Sequence, residues 1–184
     1  MEKFPELNTP RLLLRELGAA DADALFAIHS DAEAMQWFGT DTMTERRQAE
    51  QLIASFASWR LAANPGTRWG IQRQDSGQLI GSCGLFKWNR NWRSCSLGCE
   101  LARSAWGQGF MQEALHAIIA WGFAKMQLNR IEAQINPENH ASWRMAEKLG
   151  FRQEGTLLEA GYWNDKFHDL RQYALLKRIY YPHQ

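Results

Sequence analysis

The stretch Gly98-Cys99-Glu100-Leu101-Ala102-Arg103-Ser104-Ala105-Trp106-Gly107-Gln108-Gly109-Phe110-Met111 constrains this chain more than any other. It reads as a strand, a short loop whose two glycines bracket one residue, and the start of a helix. Glycine leaves backbone N–H groups uncovered and tolerates positive φ, so such a loop can curl its amides into an anion-binding concavity. The helix that follows adds unpaired N–H groups and the positive end of its dipole. A phosphate-bearing ligand is the reading this suggests; the plain alternative is glycine placed for steric reasons in a strand-to-helix turn. Two phosphate loops are excluded. A mononucleotide loop needs Lys and Ser/Thr after its last glycine, where Phe110-Met111 stand, and the dinucleotide fingerprint needs a third glycine where Gln112 stands.

Around this stretch the chain alternates strands and helices. Arg11–Arg15 reads as a first strand after Thr9-Pro10, and Asp21 as the N-cap of a helix carrying Ala24, Leu25 and Ile28. A second helix starts near Thr44, with Ala49, Leu52, Ile53, Phe56 and Trp59 on one side, and Asn64-Pro65-Gly66 stops it. Three strands follow at Arg68–Arg73, Leu79–Phe86 and Ser94–Leu101, close enough together for an antiparallel meander. After the glycine loop, Phe110, Ala114, Leu115, Ile118, Ile119, Gly122 and Phe123 mark the face of a long helix. Arg130–Ile135 is the next strand, a helix runs from about His140 to Leu149, and Phe151–Leu157 and Leu170–Leu176 close the sheet. The expected fold class is α+β, a mixed sheet with helices on its faces.

Composition narrows the function. At 184 residues and 45% hydrophobic content, the chain suits one domain over 1–184 with a sizeable core. A formal charge of +1, from 21 basic and 20 acidic residues, argues against a nucleic-acid partner bound through a broad basic face. The apolar runs are far short of a membrane span, and Met1–Glu6 lacks the apolar core of a secretory signal, so the cytoplasm is the expected location and no membrane partner is expected. Cys83, Cys95 and Cys99 form no CxxC pair and have no histidine nearby, which favours buried thiols over zinc; no metal is expected. Nine tryptophans either fill the core or line a groove with indoles.

The element order, with its glycine loop after the fourth strand, resembles the GNAT superfamily of N-acetyltransferases over nearly the whole chain. Trp106–Ala114 is similar to that family's acetyl-CoA loop. Asn139-His140-Ala141-Ser142, followed by Glu147–Phe151 and Glu154-Gly155, is similar to its second signature. The opening Thr9–Arg15 resembles the RimJ/RimL branch, which acetylates ribosomal-protein N-termini. The resemblance implies the GNAT (acyl-CoA N-acyltransferase) fold, with a mostly antiparallel sheet flanked by helices. It implies transfer of acetyl from acetyl-CoA, as cosubstrate, to a primary amine, foremost a protein N-terminal α-amine. A small-molecule amine acceptor and a non-catalytic acyl-CoA-binding module on the same fold are the alternatives, and a homodimer is open.

The resemblance also assigns residues. Backbone amides of Gly107, Gln108, Gly109, Phe110 and Met111 would receive the pyrophosphate, and the edge Leu101, Ala102 and Arg103 would pair with pantetheine where the fourth strand splays from the fifth. The family's Gln or Arg three positions before the first loop glycine is Ser104 here, with Arg103 one position earlier as the expected substitute. Ser142 is the expected general acid, returning a proton to the departing thiolate; a local bond to backbone is the alternative. Asn139 is either a cofactor contact or an N-cap, and Arg144 and Lys148 either meet an anionic end of the cofactor or form a solvated face. Glu100 is favoured as base over Glu132, Glu159 and His140. The base matters little for an α-amine, which costs roughly 1 kcal/mol to deprotonate at pH 7, against about 4.6 kcal/mol for lysine.

Overall fold

The computed structural model describes residues 3–180 of the span 1–184. Its centre is an eight-stranded sheet: β1 (Leu7–Asn8), β2 (Leu12–Arg15), β3 (Thr67–Arg73), β4 (Leu79–Asn89), β5 (Ser94–Leu101), β6 (Arg130–Ile135), β7 (Arg152–Trp163) and β8 (Lys166–Leu176). They lie in the order β1-β2-β3-β4-β5-β6-β8-β7. Every neighbouring pair is antiparallel except β5 and β6. The expected α+β class with a mixed, mostly antiparallel sheet is therefore the observed one.

The helices are α1 (Ala22–His29), α2 (Ala32–Met35), α3 (Arg46–Trp59), α4 (Phe110–Lys125), α5 (His140–Lys148) and α6 (Lys177–Tyr180). Helix α4 turns Ala114, Leu115, Ile118, Ile119 and Phe123 into the main core, where they meet Trp69, Ile71, Leu85, Ile131, Tyr173 and Leu175 of the sheet. Apolar residues three and four apart make that face, as the spacing requires. A second cluster, with Leu17, Leu25, Ala49, Ile53, Phe56 and Leu79, packs α1 and α3 together. Among the described residues no helix is long and apolar enough to cross a membrane.

Three local readings change. Asp21 does not cap α1 with its side chain. It accepts from the Gly18 N–H at 2.8 Å and pairs with Arg15, also at 2.8 Å, so it closes the single 3-10 turn before the helix. Helix α2 is absent from the sequence pattern because one turn is too short to show a period; Asp31 caps it, accepting from Glu33 and Ala34 N–H. The closing strands are longer than expected and meet at Asn164-Asp165, whose φ of 51° and 53° are both left-handed. Two such residues make the hairpin turn whose twist matches its strands.

Candidate active site

Strands β5 and β6 register only over Ser94–Ser96 and Arg130–Glu132 and then part. The Ala102 N–H donates to Ile80 O at 2.8 Å. Bonding direction alternates along an antiparallel pair, so Glu100 and Gly98 also turn their main-chain groups towards β4. Leu97, Cys99 and Leu101 turn theirs into the gap. A cavity of about 130 Å³ occupies it, edged by Leu97, Gly98 and Cys99. Trp37, Phe38 and Gln134 line one end; Leu115, Asn139, Ser142 and Met145 line the other. Exposed Gln134 alternates with buried Ala133 and Ile135, which places it on the sheet face opposite α4 and α5. The cavity thus connects the two faces of the sheet.

Beside it lies the glycine loop. Gly107 and Gly109 have φ of +71° and +78°, the left-handed conformation that glycine enters without strain. Trp106 Nε1 donates to Leu101 O at 2.9 Å and Gln108 Nε2 to Ser104 O at 2.8 Å, which ties the loop back to the end of β5. Phe110 and Met111 are buried in the main core, so they offer backbone N–H groups at the start of α4 rather than side chains. With the 16-residue helix behind them, these amides form a concentrated positive end.

Helix α5 brings Asn139 and Ser142 to the cavity. Asn139 Oδ1 accepts from the Ser142 N–H at 3.1 Å, so Asn139 is the N-cap of α5 and a lining residue as well. The same bond anchors the turn that presents Ser142.

Three parts of the sequence reading move. The strand edge turned to the gap is Leu97–Leu101, so it begins earlier than the expected Leu101–Arg103 and shares only Leu101 with it. Ala102 spends its N–H on Ile80, and Leu101 O accepts the Trp106 indole. Arg103 points to α2, donating to Asp31 at 2.5 Å and to Glu33, so it supplies no cation at the loop. Glu100 is not among the lining residues; it is buried, 5% exposed, where it accepts from Arg68 and Ser82 and stands 3.5 Å from His29 Nε2. Burial alone would raise its carboxyl; the Arg68 charge, with His29 and Ser82, outweighs that and holds it below the ordinary value. Such a carboxylate is a poor base. Glu132 is bonded to Arg130 at 2.6 Å, Glu159 is exposed on β7 and His140 packs against Trp143. Arg144 lies over the Trp143 ring and Lys148 is exposed.

The sequence reading missed the far wall. The Trp163 indole donates to Gln36 O at 3.0 Å and the Asn164 N–H to Asp41 Oδ1 at 2.7 Å, so the β7–β8 hairpin tip holds the segment carrying Trp37 and Phe38. His168 stacks on Trp163 at 3.6 Å. The two-residue Asn-Asp turn between aromatic residues was the available signal. The indoles divide between both expected roles: Trp69 and Trp121 pack edge to face in the interior, while Trp37 lines the cavity. Cys83 and Cys95 are buried as expected; Cys99, Cys83's cross-strand partner, also lines the cavity, and burial pushes its thiol up to about 12.

Comparisons with known proteins show the family and the fold. The family model for the acetyltransferase (GNAT) domain matches residues 11–152. An uncharacterized N-acetyltransferase of Bacillus subtilis, YoaA, is 35% identical over 174 residues, covering 95% of this chain and 98% of its own. Two solved structures share the fold. A spermidine N-acetyltransferase from Vibrio cholerae, in complex with CoA and spermine, has a TM-score of 0.80 at 22% identity, covering 94% of this chain and 99% of that one. RimL, a ribosomal L7/L12 alpha-N-protein acetyltransferase, has a TM-score of 0.83 at 20% identity, covering 94% of both chains.

Proposed function

The chain belongs to the GNAT family of acetyl-CoA-dependent N-acetyltransferases, and from that premise we propose that its acceptor is the N-terminal α-amine of a protein or peptide, acetylated by residues 1–184 acting as one domain. The carrying observation is the lining of the cavity. It holds Trp37, Phe38, Gln134, Asn139 and Ser142 but no carboxylate and no imidazole among the described residues. An α-amine, with a pKa of about 7.7–8.0, needs little help to lose its proton at neutral pH; a lysine at about 10.4 needs a great deal. A polyamine would bring several ammonium groups to a lining with no anion to receive them.

In this reading acetyl-CoA enters from the α4–α5 face, its pyrophosphate on the amides of Gly107–Met111 and its pantetheine along Leu97–Leu101. An N–H of that edge stabilises the carbonyl oxygen as charge develops on it. The amine arrives from the Trp37–Phe38 end and its nitrogen bonds to the acetyl carbon as the carbon–sulfur bond breaks. Ser142 gives its proton to the sulfur, and the amine's surplus proton passes through water back to the serine oxygen. Asn139, through the bond that anchors the first turn of α5, holds Ser142 at the cavity.

The test is acetyl transfer to a lysine-free peptide with a free N-terminus, to its N-terminally blocked, lysine-containing copy, and to a polyamine. The free N-terminus is expected to be modified, with kcat/KM rising and flattening above about pH 8. Equal or faster acetylation of the blocked copy overturns the α-amine assignment, and rapid turnover only with the polyamine moves the protein to small-molecule acceptors.

A further inference from the structure

The glycine loop is gripped by the N-terminal segment. Thr9 Oγ1 donates to Glu113 Oε1 at 2.5 Å, the Arg11 N–H to the same oxygen at 2.9 Å, and Arg11 Nε to Glu113 Oε2 at 2.7 Å. The other arm of the guanidinium reaches the loop itself. Nη1 donates to Gln108 O at 2.9 Å, between the two glycines, and the guanidinium carbon lies 4.4 Å from the centre of the Phe110 ring. Nη2 stands 3.4 Å from where a Cβ on Gly109 would begin. One arginine therefore touches residues 108, 109, 110 and 113. Partial burial favours a protonated Glu113, but Thr9 and Arg11 outweigh it and hold the carboxyl below its ordinary value.

The bond to Gln108 O has a geometric consequence. In a trans peptide the carbonyl and the following N–H point in opposite directions. Anchoring Gln108 O on Arg11 therefore aims the Gly109 N–H away from Arg11. Without that anchor, the left-handed glycine that follows it, Gly109, leaves this peptide free to rotate. Ser104, at the position where the family carries Gln or Arg, has no charge, Arg103 is committed to Asp31 and Glu33, and Arg73, which lies 5.2 Å over the Phe110 ring, donates to Asp75.

We propose that Arg11, held by Glu113, is the positioning residue of the phosphate loop, fixing the Gln108–Gly109 peptide so that its amide receives a pyrophosphate. The inference rests on acetyl-CoA being the donor. Arg11 acts from behind the loop, through the peptide it orients, and not on the reacting atoms; its charge is balanced by Glu113.

Calorimetric titration with CoA, beside steady-state kinetics and thermal melts, tests this. Arg11→Ala is expected to weaken CoA about tenfold and to raise KM for acetyl-CoA by a similar factor, with kcat changed less than about twofold. Arg11→Lys keeps the charge but not both bonds, and is expected to recover only part of the affinity. Glu113→Gln, which leaves the chain intact and loosens the grip, is expected to weaken CoA about threefold. Undiminished CoA affinity in Glu113→Gln or in folded Arg11→Ala overturns the inference, as does full recovery in Arg11→Lys. Absence of CoA binding by the wild-type chain overturns the donor reading together with it.

Discussion

Arg68 on β3 reaches Glu100 on β5 across the strand that lies between them. The intervening residue on β4 is Gly84, whose neighbours are Arg68 on one side and Gly98 on the other. A Cβ at Gly84 would lie 2.8 Å from Arg68 Cδ, and one at Gly98 3.4 Å from Arg68 Nη1. The glycine pair leaves a trough for the guanidinium, which donates to Glu100, to Ser82 at 2.7 Å and to Gly98 O at 3.1 Å. A buried ion pair is thus laid in a groove of missing side chains, beside Gly98 of the cavity lining and outside that lining itself.

Removing one partner strands the other's charge. Glu100→Gln and Arg68→Met are each expected to destabilise the protein by about 3–5 kcal/mol, and the double variant by clearly less than their sum. Denaturant unfolding of the four proteins measures this; strict additivity would show that the two side chains do not act as a pair.

The same carboxylate makes stability depend on acid. Its folded pKa is depressed from 4.5, so its contribution is complete above about pH 4.5 and is lost as the pH falls through the folded value. The stability gap between wild type and Glu100→Gln should therefore narrow as the pH falls below 4.5. A gap that stays constant down to pH 3 contradicts the shift.

Gly109→Val must adopt a φ of +78°, which a β-branched residue strongly resists, and its Cβ meets Arg11. Acetyl-CoA affinity is expected to fall more than thermal stability. A folded variant with wild-type affinity would remove the loop from the cosubstrate site.

Ser142→Ala tests the proton donor. Asn139 still caps the helix through the backbone N–H of residue 142, so fold and acetyl-CoA affinity should persist. If the hydroxyl protonates the thiolate, kcat falls on the order of 10²–10⁴-fold when chemistry limits turnover. A loss below about threefold leaves Ser142 as part of the helix turn only.

What could be read in advance followed periodicity and punctuation. The spacing of Ala114, Leu115, Ile118 and Ile119, the paired glycines 107 and 109, and the Asn139–Ser142 cap are local signals, and the structure keeps them as such. Long-range partners leave no local trace. Nothing near Arg68 announces Glu100, 32 residues away, and Arg11 stands 102 residues from Glu113. Arg103 looked free because its acids lie on α2, a helix too short to show a period. Glu100 looked available because its strand position says nothing of what lies beneath it.

The parting of β5 from β6 also decides how the sheet holds together. Hydrogen bonding divides it into two blocks, β1–β5 and β6–β8, buttoned at one end by three registered residue pairs. A ligand that lays amides along the Leu97–Leu101 edge extends the first block and spans the gap towards the second. Its binding then strengthens the joint itself: at a hundred times Kd, acetyl-CoA adds ~2.7 kcal/mol by mass action. In deuterium exchange the slowing should begin at Leu97, Cys99 and Leu101 and reach β6 next, as though a ninth strand had been sewn into the seam.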